Sequence, residues 1–351
     1  MKTYQNADQN VIGFVCDSLN LNTTVWLCTV LSTWGSSPRP KGSLFAFNTR
    51  GLTAGSLSGG CVEEDLVDRT LQASDGKDDA QSCDACEVIV FGATPEEAGR
   101  LQLPCGGQLR VCVERLDCGL LRESNEKHGR LEQFQQIATR LDEQKSLIRE
   151  VSLEPYRTRL LTAGEVSGED RKKLNRESIF EADHHFLQLL GPRYTLMLVG
   201  ISEVSRAVAM LAAILDYEIV VCDPRPEVVA TWSVEGVTVI QDMPDDVIAA
   251  QASLEFTAVL ALTHDPRIDD LGLMEALTRK AFYIGAMGSE RSARKRRERL
   301  LELDITEVQM EVLHAPVGLD IGSKTPAEIA LSILADITRE RRVHARAAAL
   351  A

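Results

Sequence analysis

The chain has 351 residues, 44% hydrophobic and 26% charged, with a formal net charge of −14. That length suits two hydrophobic cores better than one. No apolar run approaches the roughly 20 residues that span a bilayer, and the acidic balance argues against nucleic-acid and membrane partners. The nine cysteines are odd in number and irregularly spaced, which does not suit a disulfide framework. With no apolar signal core at the start, a reducing cytoplasm is expected. An anionic ligand must then be held by local devices: helix N-termini, backbone N–H groups and a few placed arginines.

In chain order, residues 8–19 read as a short helix with Val11, Ile12, Phe14 and Val15 on its apolar side. Residues 24–31 are β-branched and aromatic, a strand signal. The turn-rich Trp34-Gly-Ser-Ser-Pro-Arg-Pro-Lys-Gly42 precedes a strand over 43–48. Gly51-Leu-Thr-Ala-Gly-Ser-Leu-Ser-Gly-Gly-Cys61 then opens into a helix over 62–73. Strands follow over 87–91 and 108–114, the second just after Pro104-Cys-Gly-Gly107. Beyond residue 114 charge density rises. Residues 131–141 have helical spacing, 147–153 and 156–162 read as paired strands, and 164–176 reads as a polar loop. His184 and His185 are taken as connector residues.

From Tyr194 strands and helices alternate. Strands are expected over 195–200, 217–222, 237–240, 257–262 and 281–284, and helices over 204–215, 271–278 and 289–301. The last helix is signposted by Thr325 as N-cap, Pro326 at N1 and Glu328 at N3. This alternation predicts a doubly wound parallel sheet.

Several constellations could carry chemistry. Gly200-Ile-Ser-Glu-Val-Ser205, with Asp223 at the next strand end, has the layout of a dinucleotide loop and its ribose partner. Ser202 and Ser205 stand where further glycines are needed, and Glu203 places negative charge where a phosphate docks. The loop signals the fold and speaks against NAD(P). Tyr283-Ile-Gly-Ala-Met-Gly-Ser-Glu-Arg291 opens an arginine-rich helix. Most of its cations read as a solvated face, with Ser289 and Arg291 nearest the strand end. Thr263-His264-Asp265 follows an apolar strand, where ligands of open α/β sheets bind; a capped turn with a satisfied histidine fits equally well. Gly318 and Gly322 flank Asp320 in either a close backbone approach or a tight structural connection. In the N-terminal part, Cys61 at a helix start would gain thiolate character, with Arg39 and Lys41 as nearby cations. Cys61 and Cys105 are either ligand contacts or inert structural thiols. Cys83-Asp-Ala-Cys86 lacks the second half of a zinc ribbon and is taken as structural or incidental.

Together these motifs resemble the XdhC/CoxI family of accessory proteins for molybdenum hydroxylases. The match runs over 11–114 through Gly35-Ser-Ser-Pro-Arg39, Gly55-Ser-Leu-Ser-Gly-Gly-Cys-Val-Glu63 and Cys105-Gly-Gly107. It continues over 190–341 through Asp223-Pro-Arg225, Thr263-His264-Asp265, Tyr283-Ile-Gly-Ala-Met-Gly-Ser289 and Ala315-Pro-Val-Gly-Leu-Asp-Ile-Gly-Ser-Lys-Thr-Pro-Ala-Glu-Ile329. The resemblance implies an α/β protein with an N-terminal α+β XdhC/CoxI-type domain over 1–114 and a Rossmann-like C-terminal domain over 191–351. Residues 115–190 would be a peripheral subdomain and connector.

It further implies a maturation factor rather than a catalyst. Such a chaperone carries the molybdenum cofactor (molybdopterin or its cytosine dinucleotide) as cargo, supports its sulfuration with a cysteine desulfurase, and inserts it into an apo molybdenum hydroxylase. A homodimer is expected. The implied cargo contacts are Arg39, Ser58, Gly59, Gly60, Cys61, Cys105, Gly106, Gly107, Gly200, Asp223, Arg225, His264, Gly285, Gly288, Ser289, Arg291, Gly318 and Asp320. Cys61 and Cys105 would approach the molybdenum or dithiolene, and the protein would hold no metal of its own. The rival readings are an NAD(P)-dependent oxidoreductase, a nucleotidyltransferase acting on molybdopterin, and a pure interaction scaffold for an apo-dehydrogenase.

Overall fold

The computed structural model describes residues 7–34, 39–74, 86–94, 96, 99, 107–116, 126–182, 184–263 and 265–350. The chain divides into two compact units, Met1–Gly191 and Pro192–Ala351.

The first unit runs α1 (Ala7–Asn20), β1 (Val25–Trp34), β2 (Leu44–Asn48), β3 (Thr53–Gly55), α2 (Cys61–Ser74), β4 (Cys86–Phe91) and β5 (Gln108–Leu116). It continues with α3 (Glu126–Asp142), β6 (Leu147–Leu153), β7 (Tyr156–Leu161), α4 (Gly168–Glu177), β8 (Ile179–Ala182) and β9 (His185–Leu190). One antiparallel sheet has the order β3-β2-β1-β5-β4, the other β7-β6-β9-β8. The period-2 alternation of β1 sends Trp26, Cys28 and Val30 to the face that packs on Val62 and Leu66 of α2. Its other face meets Val11 and Val15 of α1 and Ile137 of α3.

Two expectations change here. Residues 164–176 are not a loop throughout: α4 forms because Ser167 caps it, accepting from the Asp170 N–H, and Ser178 ends it in the left-handed conformation at φ 66°. Its low apolar content hid it, since among its residues Leu174 and Asn175 are the buried ones. His185 is not a connector residue; it opens β9, opposite Ala182 and Ser152.

Between the two sheets lies a buried ion pair. Arg149 of β6 donates through Nη1 to Glu114 of β5 at 2.8 Å, and its Nη2 donates to the other carboxylate oxygen. Tyr156 of β7 donates its hydroxyl to the same carboxylate at 2.8 Å. Both charged side chains are essentially inaccessible, at 1% and 0% exposure.

The second unit runs β10 (Tyr194–Val199), α5 (Glu203–Ile214), β11 (Tyr217–Cys222), α6 (Pro226–Val229), β12 (Thr238–Ile240), α7 (Pro244–Ala249) and β13 (Thr257–Ala261). Then come α8 (Pro266–Thr278), β14 (Tyr283–Ala286), α9 (Glu290–Glu302), α10 (Glu307–Met310), β15 (Leu313–His314) and α11 (Pro326–Leu350). The strands form one parallel sheet in the order β12-β11-β10-β13-β14-β15. One face packs Val204 and Val208 of α5 with Ile333 and Ile337 of α11. The other packs Ile248 of α7, Leu273 of α8 and Leu300 of α9. This is the doubly wound arrangement expected from the alternation. The order reverses between β10 and β13, and ligands of such sheets bind beyond the strand carboxyl ends at that point.

The Arg149→Ala variant would strand the Glu114 carboxylate in the sandwich interior. We expect a loss of about 3–5 kcal/mol, read as a lower midpoint for the first unit's transition in denaturant; an unchanged midpoint would exclude this role.

Candidate functional site

The switch point of the second unit is built by close approach. Gly200 follows β10 at φ 90°, and a Cβ there would lie 1.8 Å from Thr263 Cγ2 after β13. Only glycine lets these two strand ends meet. The strand ends are then stitched across the sheet: Gly200 N–H donates to Cys222, Leu262 to Val199, Met287 to Ala261 and Val317 to Ala286. On the far side, Gly318 has φ 95°, and a Cβ there would lie 2.4 Å from Ser332 Oγ of α11.

Asp223 follows β11 fully buried and accepts four hydrogen bonds, from Ile201 N and from Arg225 N, Nε and Nη2, at 2.7–3.0 Å. A carboxylate has about four lone-pair sites, so a ribose hydroxyl could enter only by displacing Arg225. Burial opposes its ionisation, but the Arg225 guanidinium and the Ile201 N–H outweigh it and hold the carboxyl below its usual range. Arg225 remains partly exposed at 37% and also lies within the field of Asp265. Asp265 caps α8 and is pinned by Arg267 Nε and Nη2, which lowers its pKa to about 2.

At α5, Ser202 and Ser205 satisfy one another. Ser205 N–H donates to Ser202 Oγ at 3.1 Å, and Ser202 N–H donates to Ser205 Oγ at 2.6 Å. Two N–H groups near this helix start are thereby spent internally, and Glu203 pairs with Arg206 at 2.7 Å. Ser289 likewise caps α9, accepting from Ser292 N–H.

Behind the strand ends lies a network that spacing did not reveal. Arg296 of α9, expected on a solvated face, is instead buried between Asp269 and Asp270 of α8, at 2.8 and 3.2 Å. Its Nη1 donates to Met287 O, ahead of Gly288. Asp269 also accepts from Thr263 N and Oγ1. Arg299 and Arg297 are committed too, to Asp270 and to the carbonyls of Met310 and Leu313. Arg291 is exposed. A guanidinium can be buried only with its counter-charges, so an aspartate pair on one helix and an arginine on the next was the available signal.

In the first unit, the Gly55–Glu63 loop closes on its own anion. Glu63 accepts six hydrogen bonds, from Ser56 Oγ, Leu57 N, Ser58 N and Oγ, Gly59 N and Gly60 N, at 2.7–3.1 Å. Burial opposes its charge, yet the Ser58 and Gly59 N–H groups hold the carboxyl far below the usual range. Cys61 starts α2 half-buried beside this nest. Arg39 is exposed, while Lys41 pairs with Glu177 at 2.8 Å. Gly107 immediately precedes β5, whereas Cys83, Cys105, Gly106 and His264 lie outside the described residues. Gly285 sits within β14, where a Cβ would crowd Val317 Cγ2 at 2.4 Å. Asp320 is in an exposed turn, accepting from Gly322 N–H at 3.3 Å.

Comparison with known proteins agrees with this architecture. The XdhC Rossmann domain model matches residues 196–337, and the XdhC and CoxI family model matches residues 19–81. Residues 196–337 and 19–81 thus carry the two domains of the XdhC/CoxI family. A relative in Escherichia coli, molybdenum cofactor insertion chaperone PaoD, is 26% identical over 95% of this chain and 88% of its own length. A Bacillus subtilis relative, named as a probable xanthine dehydrogenase subunit, is 24% identical over 90% of this chain and 93% of its own. A crystal structure described as a xanthine dehydrogenase from Bacillus halodurans shares the fold, with a TM-score of 0.62 at 22% identity over 95% of this chain and 96% of that one. Among the described residues, no helix is long and apolar enough to cross a membrane.

Two measurements test these networks. Burial raises the Asp269 pKa to about 6, with its bonds from Thr263 and Arg296 opposing. A carboxyl raised on folding stabilises the protonated native state, so its contribution is full below about pH 4 and is lost by about pH 6. Asp269→Asn should remove that downward slope from the second unit's stability–pH curve; a slope unchanged in the variant rejects the assignment. Glu63→Ala should speed amide exchange at 57–60, because donors left unsatisfied cost about 1–3 kcal/mol. Exchange as slow as in the parent would contradict the nest.

Proposed function

We propose that this protein carries the molybdenum cofactor as cargo and delivers it to an apo molybdenum hydroxylase of the xanthine dehydrogenase type. The observation that carries this reading is the state of the strand-end rim. Asp223 and Asp265 are each neutralised by an arginine held against them. Arg225 stays partly exposed, and Arg267 and Arg291 are exposed. In a chain of net charge −14, these strand ends are where an anionic, phosphate-bearing pterin meets cations instead of free carboxylates. The relative named as a molybdenum cofactor insertion chaperone, aligned over most of both chains, supports the same reading.

The protein's residues would bind and shield rather than transform the guest. Arg225, Arg267, Ser289 and Arg291 suit phosphate and pterin oxygens. In the first unit, the Gly59–Cys61 turn carries a half-buried thiol, a group that suits a soft metal. We further propose that the cargo is molybdopterin or its cytosine dinucleotide, that the protein supports its sulfuration by a cysteine desulfurase, and that the chaperone works as a homodimer. An NAD(P)-dependent activity fits less well, because Asp223 already spends its acceptor sites on Ile201 and Arg225.

Anaerobic co-expression with cofactor biosynthesis, followed by pterin fluorescence and molybdenum analysis of the purified chain, tests this. We expect pterin and molybdenum to co-purify, and retention to fall roughly tenfold in Arg225→Ala, the loss of about 1.4 kcal/mol. Cys61→Ala should weaken retention with thermal unfolding unchanged. A folded chain that takes up neither pterin nor molybdenum would overturn the reading.

A further inference from the structure

We propose that Cys86 and Cys112 form a reversible intramolecular disulfide, opened and closed by exchange with a small-molecule disulfide. The inference stands apart from the cargo reading and rests on the first unit alone.

The two Sγ atoms are in direct contact, 2.8 Å apart. Cys86 is the first residue of β4 and lies opposite Glu114 of β5, while Cys112 lies opposite Val88. The cysteines are therefore diagonal neighbours on one face of an antiparallel pair. Cα atoms of such neighbours are typically about 7–8 Å apart, beyond the roughly 4.4–6.8 Å a relaxed disulfide prefers. At that typical spacing closure would draw the strands together, and a bond closed under such tension is easily reduced, the property of a regulatory rather than a structural disulfide. The shift falls where the sheet can yield, because β4 is the edge strand.

The two thiols also differ as an exchange pair requires. Cys86 is half-buried, whereas Cys112 is fully buried against Leu31, Val151, Ile179 and Phe186. Cys86 loses its proton to solvent, and its thiolate attacks one sulfur of the oxidant RSSR. The S–S bond of the oxidant breaks, leaving Cys86–S–S–R and the first RS⁻. Cys112 then gives up its proton and attacks Cys86 Sγ, expelling the second RS⁻. Both leaving thiolates take up a proton, so two protein thiols are oxidised and RSSR is reduced to two RSH. The hydrogen bond with Cys86, burial and the nearby Glu114 all raise the Cys112 pKa, so the second attack is the slower step. The mixed disulfide on Cys86 should accumulate first. By chain order, closure clasps the two strands that flank the Cys105-Gly106-Gly107 segment.

The test equilibrates the full chain in mixtures of reduced and oxidised glutathione, quenches in acid, alkylates free thiols and maps the peptides. We expect a transient glutathione adduct on Cys86, then a Cys86–Cys112 cross-link that loses two hydrogens and is reversed by dithiothreitol. Cys112→Ser should trap the Cys86 adduct, and Cys86→Ser, at the strand edge, should abolish both products. Cys61→Ser should leave the cross-link intact. The proposal is overturned if folded wild-type protein keeps both thiols alkylatable across the whole glutathione range. It is equally overturned if the cross-link maps to another pair, such as Cys83 with Cys86.

Discussion

The strand-end architecture depends on one buried guanidinium. Arg296 can lie inside the second unit only because Asp269 and Asp270 meet it there. The same groups also reach outward, since Asp269 fixes Thr263 and Arg296 fixes the Met287 carbonyl. Thr263 in turn forms the wall against which Gly200 is packed. A chain of contacts thus runs from α9 through α8 to the loops after β10, β13 and β14. Those loops sit where the strand order reverses, so the network that stabilises this unit also shapes its rim.

A second theme is internal compensation of charge. The protein is strongly acidic overall, yet its candidate loops present few free carboxylates. Asp223 is saturated by Arg225 and the Ile201 N–H, Asp265 by Arg267, and Glu63 by the donors of the loop around it. Each is held ionised below its usual range, so none is poised as a general acid or base near neutral pH. Glu63 adds a particular feature, because a carboxylate of the chain itself fills the helix N-terminal nest that a phosphate would otherwise favour.

The first unit carries its own buried polar layer. Glu114, Arg149 and Tyr156 join the two sheets, and Cys112 lies two residues before Glu114 on the same face of β5. The dithiol contact therefore borders an ion pair whose partners cannot be separated cheaply. Rigid packing on one side and an edge strand on the other concentrate any redox-driven movement in β4.

The sequence alone determined the elements whose signal is local. Alternation in β1 and β2, apolar strands separated by helices after Tyr194, and the Thr325-Pro326-Glu328 cap all appear where periodicity and capping chemistry place them. So do the two XdhC/CoxI-family domains, because their glycine and cysteine motifs are contiguous. Local signals failed where polar residues did the folding: α4 has almost no apolar face, and its cap at Ser167 lay within a charged stretch. The pairing of Asp269 and Asp270 with Arg296, the contact of Gly200 with Thr263, and the contact of Cys86 with Cys112 were decided only by tertiary structure. In each case the partners are far apart in sequence, and nothing local distinguishes a buried arginine from a solvated one or a paired thiol from an isolated one. Burial makes the difference, because it imposes on every unpaired ion a desolvation cost that only the folded neighbour can offset.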